Sequence, residues 1–271
     1  MNITIKNMSA SYGKSKVLQD LSFSISQGEF LAIAGPNGSG KTTLIRVLDG
    51  ILPYQGSAVI STSANEFGEI SKCKRHTLSS LVSMMPQFSE MYFSYTVKES
   101  ILLGRYIHDH NRFGSESRES KEKVDEIMEK LRLADLKDRQ LSSLSGGQKQ
   151  RVMLARTLAQ ETPIILLDEP TNHLDLKYQS QLMEYLSDWR KEKTRISLKG
   201  KTYTFSNTLI GVFHDLTLAS SADRILFLKE GKIISDGKTS DVMTSQNLKD
   251  IYGMDIAAYM KEQLSRWDAI S

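Results

Sequence analysis

A glycine-rich turn between an apolar run and a helical pattern constrains this chain more than any other feature. Residues 29–34 (Glu-Phe-Leu-Ala-Ile-Ala) are nearly all apolar, as in a strand that is buried on both faces. Residues 35–42 fit the pattern of Gly, four residues, Gly-Lys-Ser/Thr. Residues 41–48 carry apolar side chains at helical spacing, and Asp49-Gly50 ends the helix. This order predicts an α/β fold with a phosphate-binding loop.

The chemistry of this loop depends on where side chains are absent. Backbone N–H groups can approach a polyphosphate only if no side chain intervenes, which explains the glycines. Lys41 supplies a cation for the outer phosphates, and the Thr42 hydroxyl can bind Mg²⁺. The alternative, a glycine-rich turn that matches by chance, is disfavoured by the flanking strand and helix. The predicted nucleotide-binding residues are Gly35, Pro36, Asn37, Gly38, Ser39, Gly40, Lys41, Thr42 and Thr43.

A second apolar run, residues 164–167, ends in two carboxylates. Such a strand can place Asp168 beside the phosphate-binding loop, where it would bind Mg²⁺ directly or through water. Glu169 follows at once and is suitably placed to polarise a water that attacks a γ-phosphate. Alone this pattern is weak, because many buried strands end in solvated carboxylates. Together with the phosphate-binding loop, this strand end indicates a nucleoside triphosphatase.

The remaining pattern indicates alternating strands and helices. Such alternation predicts a largely parallel sheet, with an antiparallel part near the amino terminus. We predict strands at 2–8, 17–25 and 209–213, a small polar turn at 11–16, helices at 97–103, 115–133, 145–158 and 174–189, and a hairpin of 224–228 with 232–235 around Glu230-Gly231.

Composition excludes several classes of protein. The 271 residues have a formal net charge of +3, which is too small to indicate a nucleic-acid partner. Cys73 is the single cysteine, so no intrachain disulfide can form. Apolar runs fall far short of the ~20 residues that a membrane-spanning helix needs, and the start of the chain lacks the pattern of a signal peptide.

The segment Leu144-Ser145-Gly146-Gly147-Gln148 names a family. With the two motifs above, it resembles the signature of the ABC ATPases, and the resemblance covers nearly the whole chain. The resemblance implies that Ser145, Gly146, Gly147 and Gln148 complete the ATP site of a partner subunit. Ser145 is a helix-capping residue type, and the two glycines let amides meet phosphate oxygens. The alternative is an ordinary Ser-Gly-Gly helix cap.

The resemblance also implies roles for residues that spacing alone would not assign. Tyr12 matches the aromatic side chain that stacks on adenine, although a loop tyrosine can simply pack. Asp175, in the segment 172–175, matches a contact between the two subunits. Gln87 matches a glutamine that reaches Mg²⁺ and the attacking water, and His214 a histidine that contacts the γ-phosphate. The implied catalytic residues are Glu169, His214 and Gln87, and the implied metal ligands are Thr42, Gln87 and Asp168.

The family resemblance predicts the architecture and the partners. Residues 1–271 would form a single ABC ATPase domain: a P-loop NTPase core with a mostly parallel sheet, an antiparallel β subdomain and a helical subdomain inserted at about 88–160. The cofactors would be ATP and Mg²⁺. The partners would be a second ATPase subunit (a homodimer when ATP is bound, a monomer without it), transmembrane permease subunits and, indirectly, a substrate-binding protein. The chain would lie peripherally on the cytoplasmic face of the membrane.

The branch of the family is indicated by residues 96–106. The phrase Leu103-Gly104-Arg105-Tyr106 resembles the iron–siderophore, haem and cobalamin importer ATPases. Aromatic residues and methionine at 88–106 suit a groove for a permease helix, or they fill the core of the helical subdomain. The short segment after Gly237 disfavours the sugar importers, whose ATPases carry a regulatory domain.

One segment departs from the family pattern. Residues 193–207 contain two alternating runs around Lys199-Gly200-Lys201, which predict an inserted β-hairpin that is basic, exposed at its edge and not catalytic. The rival interpretations are an ABC ATPase of another transport branch (metal ion or export), a non-transport ABC ATPase, and a P-loop kinase or GTPase. The last would leave the signature and His214 without a role.

Overall fold

The computed structural model of the protein describes residues 1–62, 66–87, 95–109, 116–172, 174–198 and 200–268. Within them the strands are β1 Asn2–Tyr12, β2 Ser15–Ile25, β3 Phe30–Ala34, β4 Tyr54–Ser61, β5 Glu66–Glu69, β6 Val82–Met85, β7 Ile164–Asp168, β8 Lys193–Leu198, β9 Lys201–Ser206, β10 Thr208–Val212, β11 Arg224–Lys229 and β12 Lys232–Lys238. The α-helices are α1 Lys41–Leu48, α2 Arg75–Leu81, α3 Val97–Leu102, α4 Tyr106–Asp109, α5 Arg118–Lys130, α6 Gly146–Leu158, α7 Leu176–Lys191, α8 Leu216–Ala219, α9 Thr239–Val242, α10 Ser245–Tyr252 and α11 Ile256–Asp268. Predictions for residues 88–94, 110–115, 173 and 199 lie outside the described ranges.

A six-stranded sheet forms the centre of the molecule. Its order is β12-β11-β3-β10-β7-β6, and every neighbouring pair is parallel except β11 with β12. Neighbouring residues of β7 belong to different apolar clusters: Ile165 and Leu167 pack on one face of the sheet, Ile164 and Leu166 on the other. The strand is apolar throughout because both of its faces are covered. The predicted α/β fold class is confirmed.

A four-stranded antiparallel sheet, in the order β2-β1-β4-β5, packs beside the central sheet. The predicted turn at 11–16 is too long, since Tyr12 already pairs with Ser15. The turn consists of Gly13 and Lys14, and Gly13 has a φ of 56°, which glycine tolerates best. Small polar residues around this pair do not stop the strands because the ladder satisfies their backbone groups.

Helix ends also differ from the predicted bounds. The prediction of a helix at 115–133 is too long, because Ser117 caps α5 by accepting a hydrogen bond from the Ser120 N–H. The prediction of 174–189 begins too early, because Asp175 caps α7 by accepting from the Tyr178 N–H. Polar side chains that bond backbone N–H groups thus fix both starting points, which apolar spacing alone does not locate.

A group of helices covers one face of the central sheet. In the described part of residues 88–160, α3, α5 and α6 pack against one another. Their contact is apolar, through Val97, Ile101, Val124, Ile127 and Val152, which are at most 3% exposed. Arg105 is buried beside them and donates to the carbonyl of Ala159 at 2.9 Å. This arrangement joins the Leu103–Tyr106 phrase to the end of α6.

The hairpin of β8 and β9 is a separate two-stranded sheet. The sequence predicts only an exposed edge, and the structure adds that one face is covered: Ile196, Leu198 and Phe205 are 4–7% exposed and join the apolar cluster that contains Leu78 of α2. Phe205 also contacts Phe67 of β5 edge to face, with 6.1 Å between ring centroids. Apolar side chains on alternate positions of the hairpin explain this burial.

The described helices differ from membrane spans in length and polarity. Among the residues that the structure covers, no helix is both long enough and apolar enough to cross a bilayer.

Candidate active site

The phosphate-binding loop follows β3 and leads directly into α1. Its glycines are required for different reasons. A Cβ at Gly35 would lie 2.0 Å from the Leu228 carbonyl oxygen, and a Cβ at Gly40 would lie 2.7 Å from Cδ2 of Leu18. Gly38 has no atom within 4 Å of its Cβ position, but its φ of 77° is left-handed. A side chain is therefore excluded at 35 by the neighbouring backbone, whereas at 38 and at 40, where φ is 104°, the backbone conformation is the main obstacle.

Lys41 lies at the first position of α1 and is 5% exposed. Its Nζ donates to the carbonyl oxygens of Gly35 and Pro36, both at 2.9 Å. Burial lowers the pKa of the Lys41 ammonium, while the nearby carboxylates of Glu169 and Asp168 raise it. The ammonium is thus held against the loop, on the side where those carboxylates lie.

Thr42 and Asp168 meet across the carboxyl ends of the central strands. The Thr42 hydroxyl donates to Oδ1 of Asp168 at 3.0 Å. Asp168 is 1% exposed, and burial raises the pKa of its carboxyl group, while the bond from Thr42 lowers it. Among the described residues no three His, Cys, Asp or Glu side chains form a metal cluster. A hydroxyl beside a carboxylate fits Mg²⁺, which keeps waters or substrate phosphates as its other ligands.

Glu169 lies at the centre of a cluster of polar side chains. Gln87, at the end of β6, donates from Nε2 to Oε2 of Glu169 at 2.8 Å. The Asn172 amide contacts the same oxygen, and Nε2 of His214 contacts Oε1. The Glu169 backbone has a φ of 54°, which non-glycine residues rarely adopt. Strand β7 is thus followed by a strained residue whose carboxylate is oriented from three sides.

These residues share one pocket with the loop. The pocket has a volume of about 730 Å³ and is open to solvent at one side. It is lined by Val17, Asn37, Gly38, Gly40, Lys41, Thr42, Thr43, Gln87, Glu169, Asn172 and His214. The three predicted catalytic residues and most of the predicted nucleotide-binding residues therefore lie around a single space. Ser39 is 2% exposed beside it, and its Oγ has no hydrogen-bond partner among the described residues.

Tyr12, the signature residues and Asp175, which the sequence also predicts as site residues, are not among the residues that line this pocket. Tyr12, at the end of β1, is 43% exposed, and its hydroxyl accepts a hydrogen bond from Arg46 at 3.1 Å. Ser145 and Gln148 form a reciprocal capping box at the start of α6, with Gly146 and Gly147 between them. Asp175 caps α7. The signature and Asp175 thus have local structural roles, and their predicted contacts require a second subunit.

Two residues outside the predicted catalytic set contact Glu169 or the residue that follows it. Asn172 bonds the Glu169 carboxylate, as described above. Gln150, on α6, donates from Nε2 to the carbonyl oxygens of Pro170 at 3.0 Å and Glu169 at 3.4 Å. A polar residue inside a helical pattern reads as a solvent-facing position, so sequence periodicity gives no signal for Gln150.

The Leu103–Tyr106 phrase contains both packed and exposed residues. A Cβ at Gly104 would lie 2.2 Å from the Arg156 carbonyl oxygen, so glycine allows this close approach to α6. Arg105 is buried, whereas Leu103 and Tyr106 are 42% and 69% exposed. Gly104 and Arg105 therefore help to build the helical subdomain, whereas Leu103 and Tyr106 are exposed, and the predicted groove for a permease helix stays a prediction.

Comparison with known proteins places these motifs in a family. The family model described as ABC transporter matches residues 18–172. The ATP-binding protein FepC of Escherichia coli, which serves ferric enterobactin transport, is 34% identical over 92% of this chain and 86% of its own length. An uncharacterized ABC transporter ATP-binding protein of Bacillus subtilis, YvrA, is 35% identical over 95% of this chain. The chain spans 55% of the length of YvrA.

Solved structures show the same architecture. An inward-facing ABC transporter described as metal-chelate type is 28% identical, with a TM-score of 0.74 over 93% of this chain and 89% of the other. An ATP-binding cassette solved as a dimer with ADP and phosphate after hydrolysis is 26% identical. Its TM-score is 0.72 over 88% of this chain and 98% of the other.

Proposed function

This chain belongs to the ABC transporter family, and on that premise we propose that it is the ATPase subunit of an importer for iron chelates. The observation that carries the ATPase assignment is the arrangement of Gln87, Asn172 and His214 around Glu169, next to the contact between Thr42 and Asp168. The importer branch is supported by relatives that serve iron-chelate and siderophore transport and are similar over most of their length.

The residues divide into two tasks. Phosphoryl transfer needs neutralised charge and an oriented water more than covalent help from the protein. Lys41 and the amides of the loop bind the phosphates, and Thr42 and Asp168 hold Mg²⁺, which neutralises charge on the phosphates when bound. Glu169 polarises the attacking water, and Gln87 and His214 orient both the water and the carboxylate.

The proposed assembly follows from the position of the signature. Residues 145–148 do not line the pocket of their own chain. We place them against the nucleotide of a second copy, so that ATP joins the two subunits and hydrolysis separates them. Asp175 lies at the same interface. The dimer acts with transmembrane permease subunits, to which a substrate-binding protein delivers the cargo, and the chain lies on the cytoplasmic face of the membrane.

Two experiments test the proposal. The purified chain should hydrolyse ATP without any phosphate acceptor, and Lys41→Ala should abolish this activity. Co-expressed with its permease and reconstituted in vesicles, the chain should drive uptake of a radiolabelled ferric siderophore. Uptake of cobalamin alone would overturn the iron-chelate assignment, and transport away from the membrane side that carries the ATPase would overturn import. Hydrolysis that requires an acceptor would identify a kinase instead.

A further inference from the structure

A buried glutamine connects α6, which begins at the signature, to residues 169–172 of the same chain, here called the catalytic loop. Gln150 is 2% exposed and lies on the second turn of α6, whose first turn is the signature. Its amide nitrogen donates to the carbonyl oxygens of Pro170 and Glu169, at 3.0 and 3.4 Å. The helix that begins at the partner-facing Ser145 is therefore tied, two residues beyond the signature, to the backbone of the catalytic carboxylate.

The chemistry of this contact requires an amide. Both acceptors are carbonyl oxygens, so only the nitrogen end of the side chain can face them. The oxygen end, Oε1, is buried with no hydrogen-bond partner among the described residues. This buried oxygen has lost its hydrogen bonds to water and gains none in return, so its burial costs desolvation free energy. The bond to the catalytic loop is what offsets this cost.

The backbone that Gln150 holds is one that needs support. Glu169 has a left-handed φ of 54°, a conformation that non-glycine residues rarely adopt and that the surrounding contacts must stabilise. Its N–H donates to the Val212 carbonyl at 3.2 Å, and its carbonyl also accepts from the Asn172 N–H at 3.3 Å. Gln150 is the one contact among these that comes from α6. A small displacement of α6 would thus change the hydrogen bond that Gln150 donates to the Glu169 carbonyl oxygen.

We propose that Gln150 is a positioning residue that couples nucleotide contact at its own chain's signature to the orientation of Glu169 in its own chain's pocket. This inference rests on the proposed function, because it requires the signature to bind the nucleotide of a second copy. Binding at one site of the dimer would then tighten α6 and align the carboxylate of the other site. The two sites would be linked through α6, within each chain.

Three variants test the role. Gln150→Met keeps the length of the side chain and removes the donor, and it should lower kcat about tenfold while the ATP concentration for half-maximal rate changes less than about twofold. Gln150→Glu presents a carboxylate to two carbonyl oxygens and should be less active still at neutral pH. Its activity relative to the unmodified protein should recover as the pH falls, because a protonated carboxyl group can donate again.

Thr157→Val provides the matched control. Thr157 is also buried on α6, but its hydroxyl donates to the Met153 carbonyl of its own helix, at 2.9 Å. Loss of this bond disturbs α6 without touching the catalytic loop, so kcat should stay within about twofold of the unmodified value. An equal fall of kcat in Thr157→Val and Gln150→Met would assign the effect to helix packing and overturn the proposal.

Amide hydrogen exchange separates this proposal from the proposed function. Adding AMP-PNP with Mg²⁺ should slow exchange at residues 35–43 and at 169–172 of the unmodified protein. In Gln150→Met the protection of 35–43 should remain, whereas the protection of 169–172 should be clearly smaller than in the unmodified protein, with only the part due to direct nucleotide contact in the shared pocket left. If the unmodified chain shows no ATPase activity, the proposed function fails, whereas exchange still decides the coupling. Full protection of 169–172 or an unchanged kcat in Gln150→Met would overturn the inference.

Discussion

The hydroxyl of Thr42 donates a 3.0 Å hydrogen bond to Asp168 across 126 positions of the sequence. Thr42 follows β3 and Asp168 ends β7, and β10 lies between these two strands in the sheet. The residues meet because the carboxyl ends of parallel strands lie at the same edge. A cation at this edge can therefore contact both the loop that binds phosphates and the strand that ends beside it.

Asp168→Asn should raise the Mg²⁺ concentration for half-maximal ATPase activity at least about tenfold, because the cation loses a charged ligand. In the unmodified protein burial raises the pKa of Asp168, so protons compete with Mg²⁺. Its Mg²⁺ requirement should rise as the pH falls through this raised pKa. Magnesium titrations of ATPase activity at several pH values measure both effects. Asp215→Asn, at the cap of α8, is the control and should leave the requirement unchanged.

Glu169→Gln should reduce kcat at least about a hundredfold, since the amide cannot accept a proton from the attacking water. The variant should still bind ATP and form a dimer with ATP that elutes early in size-exclusion chromatography. Glu129→Gln, on the exposed side of α5, is the matched control. Hydrolysis by Glu169→Gln at close to the unmodified rate would remove Glu169 from the catalytic residues.

Gly35→Ala and Gly38→Ala should fail in different ways. The Cβ at position 35 would overlap the Leu228 carbonyl oxygen, so this variant should lose about 2–4 kcal/mol of unfolding free energy. The Cβ at position 38 meets no atom within 4 Å, and the left-handed backbone costs about 1–2 kcal/mol. The main defect of Gly38→Ala should be weaker nucleotide binding. Urea unfolding and fluorescent-ATP titration separate the effects, and equal destabilisation would contradict this assignment.

Deprotonation of Asp49 should lower the unfolding free energy as the pH rises from about 4 to 6. Burial raises the pKa of its carboxyl group from 3.8 to about 6, against a smaller lowering by Arg75. The folded state thus binds the proton more tightly than the unfolded state, and deprotonation reduces stability, by at most about 3 kcal/mol. Asp49→Asn should flatten this part of the pH profile in urea unfolding, with a gain of roughly 1 kcal/mol at pH 7. A variant with an unchanged profile would exclude Asp49 as its source.

Phe205→Ala should lower the unfolding free energy by about 3 kcal/mol, because it empties a buried site between the hairpin and β5. At a temperature where the variant stays folded, kcat should match the unmodified protein, since no described residue of the hairpin lines the pocket. Thr202→Ala, an exposed position of the same strand, should affect neither quantity. A selective loss of kcat in Phe205→Ala would show that the hairpin acts on the site.

The phosphate-binding loop and the Asp168-Glu169 strand end could be predicted because each depends on a continuous stretch of sequence. A buried strand, glycines and a helix in direct succession leave few structural alternatives. The parallel sheet followed from apolar runs that lack alternation, which the two-sided burial of β7 explains.

Contacts between distant segments could not be predicted in the same way. Gln150 is polar within an ordinary helical pattern, and only the packing of α6 against the central sheet, at β6, brings it to the Glu169 backbone. The bond between Arg46 and Tyr12 likewise joins α1 to β1. The buried face of the hairpin was missed because its charged residues are prominent in the sequence, whereas Ile196, Leu198 and Phe205 determine how it packs.

The ammonium of Lys41 already has two carbonyl partners within the loop that it serves. A triphosphate must draw it away from Gly35 and Pro36, so the gain on binding is a difference between two sets of bonds. Without nucleotide, Lys41 is therefore already ordered by bonds to its own loop, and it can return to these bonds when product leaves. This competition limits the affinity for nucleotide and so favours release of the product after each hydrolysis.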